Sequence, residues 1–166
     1  MNALLVKSDK PFTAQLFLRE TFDRFLLQEA VFVTDFTTTL DGRVIREGLS
    51  EEELKALPDP FLLPWSRIRP LAFQVIKGDK LPRSFHIVLG LARPQIEALL
   101  RKDGVDFPAE QVGGLFLNIR YEDARLTLIT GTALTAFTLD KSVENLWDKS
   151  VRAFLAQKEI DFDEAL

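Results

Sequence analysis

The sequence predicts an α+β protein in which helices pack on one face of an antiparallel sheet. Most apolar runs alternate with polar residues at a period of two, which is typical of strands with one buried face. Short turn signals separate several of these runs, so neighbouring strands are expected to join as hairpins. Helical stripes are fewer, and the clearest one lies near the C-terminal end. Hairpin strands with segregated helices indicate α+β rather than a parallel α/β fold.

The chain is expected to begin with a strand and a helix. Residues 3–6 form a short apolar run. Ser8-Asp9 then precedes a proline, which indicates an N-cap followed by proline in the first turn of a helix. Apolar residues at helical spacing extend this predicted helix over residues 10–21.

A long strand and a hairpin are predicted next. β-branched and aromatic side chains alternate over residues 30–38, so we expect a strand that bends or splits near Thr34-Asp35. Asp41-Gly42 follows and is a strong signal for a tight hairpin turn. Residues 43–46 are then expected to return as the next strand.

The middle of the chain is predicted to hold a short helix and a second hairpin. Ser50-Glu51-Glu52-Glu53 has the pattern of a capping box and opens a helix that Pro58 ends. Apolar residues alternate over 71–76 and again over 85–91. Gly78-Asp79 lies between these runs, so we expect a hairpin with a basic tip.

The C-terminal half is predicted to hold two helices around a third hairpin. Arg93-Pro94 opens the first helix, and Gly104 stands where a C-terminal cap belongs. Strands are expected over 115–121 and 126–139, with a turn at 122–124. The last helix shows the cleanest helical stripe in the chain, formed by Val143, Leu146, Trp147, Val151, Phe154 and Leu155.

The order of the elements predicts a duplication within one domain. Residues 3–46 read β-α-β-β-β if the long strand splits, and residues 83–138 repeat that order. A length of 166 residues suits a single domain over residues 1–166.

Composition removes many kinds of active site. The chain has no cysteine, which excludes disulfides, cysteine nucleophiles and zinc–cysteine centres. Its one histidine, His86, is expected to be an ordinary strand residue that points away from the apolar face. Neither a phosphate-binding glycine loop nor a nucleophile-elbow motif occurs. We therefore predict no cofactor, no metal and no catalytic residue.

Charge singles out one segment as a candidate binding surface. Residues 64–102 carry eight basic and two acidic side chains, a net charge of +6, whereas the whole chain carries −4. Tryptophan and arginine are favoured at binding hot spots, and a basic rim can hold phosphates. The candidate binding residues are Trp65, Arg67, Arg69, Lys77, Lys80 and Arg83.

Four segments resemble a family of short, uncharacterised clostridial proteins known only as a domain of unknown function. Together they span nearly the whole chain. The resemblance implies a bacterial cytoplasmic protein and supplies no activity or site. The segments are Thr21 to Leu27, Trp65 to Pro70, Gly114 to Arg120 and Thr130 to Ser142.

The predicted duplication is also similar to one domain of a DNA sliding clamp. In that family, basic residues on two helices face DNA, and the resemblance implies that role for Lys10, Arg19, Arg93, Arg101 and Lys102. This chain departs from the family because it has only one such domain, an acidic pI of about 5.1 and two additional helices.

Three function classes follow from these observations. The first is a non-enzymatic intracellular protein that binds a protein partner or a second copy of itself. The second is a nucleic-acid-associated, clamp-like domain that uses the basic segment 64–102. The third is an acid–base enzyme that uses carboxylates, since any two of the 25 acidic side chains could meet. The chain is expected to be cytoplasmic and not to associate with membranes, because no apolar run has the length of a membrane span.

Neutralising Lys77, Lys80 and Arg83 together should weaken any binding of DNA or RNA. Each lost phosphate contact should also flatten the salt dependence, by a slope of about 0.7–0.9. Titration of labelled oligonucleotides at about 50 mM salt measures both effects. Undetectable binding by the unmodified protein would argue against the nucleic-acid class.

Overall fold

One antiparallel sheet collects strands from the whole chain. The computed structural model describes residues 1–78 and 81–165. Its strands are β1 Ala3–Val6, β2 Leu26–Val33, β3 Thr37–Asp41, β4 Leu63–Pro64, β5 Ser84–Gly90, β6 Val112–Glu122, β7 Arg125–Leu134 and β8 Phe162–Ala165. The sheet order is β3-β2-β5-β6-β7-β1-β8, and β4 adds a short ladder to β2. All of these pairings are antiparallel.

Helices pack against one face of this sheet, which confirms the predicted α+β class. They are α1 Asp9–Phe17, α2 Glu51–Lys55, α3 Trp65–Ile76, α4 Arg93–Lys102 and α5 Ser142–Gln157. The central strands present a continuous buried surface to them, which includes Ile87, Ile119 and Leu128. The α1 side chain of Phe17 meets this face, with its ring 5.6 Å from that of Phe85. Burial of apolar surface between the two layers is the main stabilising contribution to the fold.

The second face of the sheet is only partly exposed but carries no described helix. Its side chains come from the alternate positions of the same strands, for example Val31, Val88 and Ile129. His86 also lies on this face, as its position in the strand predicted. Its Nε2 is 3.4 Å from Oδ1 of Asn118 on the neighbouring strand.

The local signals at several helix ends are confirmed. Ser50 accepts a hydrogen bond from the backbone N–H of Glu53, and Glu53 accepts one from the backbone N–H of Ser50, so the capping box forms. Gly104 follows α4 with a φ of +63°, a conformation that favours glycine. All six residues of the predicted stripe in α5 are buried.

The predicted hairpin turn at Asp41-Gly42 is wrong. β2 and β3 are joined at residues 34–36, where the long strand was expected to split. Gly42 instead lies against the backbone of β2, and a Cβ at that position would be 1.8 Å from the carbonyl oxygen of Leu27. The glycine therefore permits a close approach of two backbones rather than a turn, and residues 44–46 form no strand.

The predicted strand over residues 71–76 is also wrong, because this segment belongs to helix α3. The alternation of apolar residues in this segment suggested a strand. In the structure, Leu71 is half exposed, and the buried residue of this segment is Ala72. Trp65, Ile68, Ala72 and Ile76 recur at helical spacing, and they form the face that α3 turns to the core. The turn residue Asp79 lies outside the described residues.

The predicted duplication is not formed. The order β-α-β-β does recur, but the third strand of each half is missing, since residues 44–46 and 135–139 are irregular. The pairings also differ: β5 lies beside β6, whereas β5, β6 and β7 separate β1 from β2. The acidic C-terminal segment, for which no strand was predicted, forms β8 and pairs with β1.

Replacing Gly42 with alanine should destabilise the protein strongly, because the added methyl group would collide with the Leu27 carbonyl. We expect a loss of about 3 kcal/mol or more in the free energy of unfolding. Gly78→Ala is the matched control, since no atom of the described residues lies within 4 Å of a Cβ there. It should change stability by less than about 0.5 kcal/mol. Equal denaturant melts for both variants would contradict this account of Gly42.

Candidate functional site

Trp65 lies in the core, not at a surface site. Its side chain is fully buried, and its indole Nε1–H donates to the carbonyl oxygen of Leu16 at 3.0 Å. The indole ring lies 6.1 Å from the ring of Phe17. The indole N–H is thus hydrogen-bonded, and the ring is enclosed by the core. Trp65 links α3 to α1 and offers no surface to a ligand.

Arg69 is also engaged within the protein. Its Nε–H and one terminal N–H donate to the two carboxylate oxygens of Asp23, both at 2.9 Å, and both side chains are less than a quarter exposed. These hydrogen bonds raise the pKa of the Arg69 guanidinium. The pair joins α3 to the segment 21–27, so two of the segments that carry the family resemblance are in contact. Arg67, two residues earlier, is exposed on the outer side of α3.

Lys77 and Arg83 come together at an open cleft of about 800 Å³ beyond the end of α3. We call this the α3 cleft. Lys80 lies outside the described residues. Two apolar side chains on the wall of the cleft, Phe36 and Leu81, are mostly exposed. The cleft is lined by residues 34–36, 74–78, Leu81 and Arg83.

A second depression, which we call the helix groove, runs between α4 and α5. Its volume is about 510 Å³. The two helices are antiparallel here. Arg24 contacts both Gln95 near the start of α4 and Phe154 near the end of α5, whereas Asp103, just after α4, pairs with Lys149 in the first half of α5. Ala98 and Ala153 line the groove between these contacts, and their small side chains leave the gap open. Buried aromatic and aliphatic side chains, including Trp147 and Phe154, form the floor.

Arg24 stands at one end of the helix groove with its charge unneutralised. Its guanidinium lies 5.5 Å from the ring centre of Phe25 and 5.7 Å from that of Phe154. Partial burial lowers the pKa of the guanidinium below its ordinary value. No carboxylate of residues 1–78 or 81–165 forms an ion pair with it.

Further cations lie at the other end of the groove. Lys102 is exposed at the end of α4, and Lys149 projects from α5. The one carboxylate of the lining, Asp103, lies 3.6 Å from the Lys149 ammonium. Together with Arg24, the groove therefore has three cations and one anion, a net charge of +2.

The cations that the sliding-clamp resemblance placed on DNA-facing helices are not brought together in the helix groove. Arg93 turns inward and donates to the carbonyl oxygens of Ala109 and Val112, at 2.8 and 2.7 Å. Lys10 and Arg19 belong to α1 and the residues just after it, and they are absent from the groove lining. Only Lys102 of that set lines the groove.

No metal centre is evident in the part of the chain that the structure describes, where no three histidine or acidic side chains cluster. In the same part, no helix is both long and apolar enough to cross a membrane.

Sequence reasoning missed Arg24 and Lys149. Arg24 was visible as a cation between two buried phenylalanines, a pattern that signals a charge held at the edge of the core. Lys149 follows the buried Trp147 by two residues and so lies on a flank of α5. Neither signal tells that α4 lies alongside, because that contact depends on tertiary packing.

The chain belongs to a family of unknown function, DUF5721, whose model matches residues 15–163. This confirms the resemblance to a domain of unknown function. No curated protein and no solved structure matches the chain.

Replacing Arg69 with glutamine should destabilise the protein, because Asp23 would keep a partly buried carboxylate without its partner. We expect a loss of about 1.5–3 kcal/mol in the free energy of unfolding. Arg69→Lys should recover only part of it, since an ammonium cannot form the two-point contact. The exposed Arg67→Gln is the matched control and should stay within about 0.5 kcal/mol of the unmodified protein. Equal losses at positions 67 and 69 in denaturant melts would refute this role.

Proposed function

We propose that this protein is a non-enzymatic binding protein that holds an acidic segment of a protein partner in the helix groove. The observation that carries the proposal is Arg24, an exposed cation at the mouth of an open groove, whose guanidinium lies over two aromatic rings and forms no ion pair with a carboxylate of the described residues. An incoming carboxylate would pair with this cation through a charge-assisted hydrogen bond, which is stronger than a hydrogen bond between neutral groups.

The shape of the groove supports a polypeptide as the ligand. Two antiparallel helices with small residues between them, Ala98 and Ala153, form a trough into which a third helix or an extended segment can lie. The floor is apolar, so a segment that alternates acidic and apolar side chains matches both the floor and the cationic ends.

Nucleic acid is the second candidate, and Lys102 favours it because it belongs to the basic segment 64–102. Two features weigh against it. Single-strand binders stack bases on exposed aromatic rings, but Phe25, Trp147 and Phe154 are each less than a tenth exposed. The whole chain also carries a net charge of −4, whereas basic domains are typical of nucleic-acid binders.

An acid–base enzyme receives less support from this site. Such chemistry needs two carboxylates, or a carboxylate and another titratable group, held across a substrate. The groove lining contributes a single carboxylate, Asp103, and Lys149 binds it. The described lining of the α3 cleft likewise contributes one, Asp35.

The proposal includes a location in the bacterial cytoplasm. It rests on the resemblance to clostridial proteins, and a chain without cysteine is compatible with a reducing compartment.

Removing the two free cations should weaken binding of an acidic ligand. We expect Arg24→Gln/Lys102→Gln to bind a short labelled peptide of glutamate, leucine and alanine about tenfold more weakly than the unmodified protein. Fluorescence anisotropy at about 50 mM salt measures the affinity, because exposed charges still act at that ionic strength. Labelled single- and double-stranded oligonucleotides are titrated in parallel.

Arg67→Gln/Arg125→Gln is the matched control, since it removes the same charge from exposed positions outside the groove. It should leave peptide binding nearly unchanged. Equal weakening by both double variants would mean that net charge, not the groove, attracts the peptide. Tight binding of oligonucleotides without peptide binding would favour the nucleic-acid candidate instead.

A further inference from the structure

The loop between β7 and α5 carries two apolar side chains that are almost fully exposed to solvent. Phe137 is 92% exposed and Leu139 is 83% exposed. The loop backbone is held in place on both sides: Thr135 N–H donates to the carbonyl oxygen of Gln111 at 2.9 Å, and Ser142 N–H donates to Oδ1 of Asp140 at 2.8 Å. We call this feature the apolar knob. A knob that is already ordered loses little conformational entropy when it is buried.

The α3 cleft offers a complementary hollow. Phe36 and Leu81 on its wall are 65% and 78% exposed, and Val75 and Ile76 line it as half-buried side chains. A volume of about 800 Å³ accommodates two large apolar side chains. Knob and cleft are thus the same kind of surface, one convex and one concave.

The charges beside the two features are of opposite sign. Among the described residues, Lys77 and Arg83 give the lining of the α3 cleft a net charge of +1 after Asp35 is counted. Asp140 adjoins the knob, and its hydrogen bond from Ser142 lowers the pKa of its carboxyl, which keeps it ionised. The neighbouring Lys141 is already bound to Glu144 at 3.2 Å.

The apolar knob and the α3 cleft lie at opposite ends of the sheet. The knob of one chain therefore cannot reach the cleft of the same chain. The knob follows the end of β7, which pairs with Val112 at the start of β6. The cleft follows the end of β2, next to Ser84 and thus to the far end of β6. Along β6 the separation is roughly 30 Å.

We infer that a second copy of this chain is the occupant: the apolar knob of one copy docks in the α3 cleft of the next, head to tail. Such a heterologous contact leaves one free knob and one free cleft on every dimer, so it builds open chains or closed rings. Charge complementarity sets the orientation, with Asp140 facing Lys77 and Arg83.

Sedimentation equilibrium over a concentration series to about 1 mM tests the inference, because so small an interface gives weak association. The unmodified protein should show masses that rise beyond the dimer. The knob variant Phe137→Ser/Leu139→Ser and the cleft variant Phe36→Ser/Leu81→Ser should each associate at least about tenfold more weakly. Ile45→Ser, which alters an equally exposed apolar residue elsewhere, is the control and should behave as the unmodified protein.

A mixture of the two variants makes the test specific. It retains one intact knob and one intact cleft, so it should form a one-to-one heterodimer and nothing larger. A monomeric unmodified protein at every concentration would overturn the inference. Unaltered association of either variant, or a mixture that fails to pair while the unmodified protein associates, would overturn it as well. Circular dichroism and thermal melts verify that all variants are folded.

Discussion

Side chains along the strands alternate between buried and partly exposed positions. The helices therefore cover only the face of the sheet that carries the buried side chains. Four helices that contribute to the core must share that face. α4 and α5 lie on either side of the helix groove as a result, and the small side chains of Ala98 and Ala153 leave that groove open. The helix groove is therefore a product of how the layer is filled. Arg24 precedes β2 by two residues and lines the same groove.

Patterns within one element and the tight hairpin between β6 and β7 were predictable, whereas contacts between elements that are distant in the sequence were not. The stripe of α5 and the capping box of α2 are set by spacing along a single helix, and both hold. The segment 71–76 is ambiguous, since three alternating apolar residues also suit the flank of a helix whose real anchor, Trp65, lies farther back. Gly42 shows the same limit. A glycine after aspartate usually favours a turn, but here the glycine is required because the backbone of the neighbouring strand β2 approaches it closely. β8 could not be predicted because its few apolar residues show no strand pattern by themselves. The segment forms a strand only by pairing with β1.

The basic segment 64–102 shows why linear charge is a poor guide to a surface. Five of its eight cations lie in three different environments. Arg69 and Arg93 bind partners within the fold, Lys77 and Arg83 border the α3 cleft, and Lys102 reaches the helix groove. The other two cations of the groove, Arg24 and Lys149, lie outside residues 64–102. The fold thus distributes the cations of segment 64–102 over several places. It forms the helix groove, in contrast, from residues that are distant in the sequence.

The place of β1 in the sheet bears on how the chain reaches its structure. Residues 3–6 pair with residues 127–129 and 162–165, which are synthesised much later. During synthesis, β1 therefore has no partner strand until more than 120 further residues have been added. Closing loops of that length before any contact is gained slows folding, and contacts between distant residues correlate with slow folding in general. The β2–β5–β6–β7 region can assemble from nearer partners, so the edge formed by β1 and β8 is the natural last step.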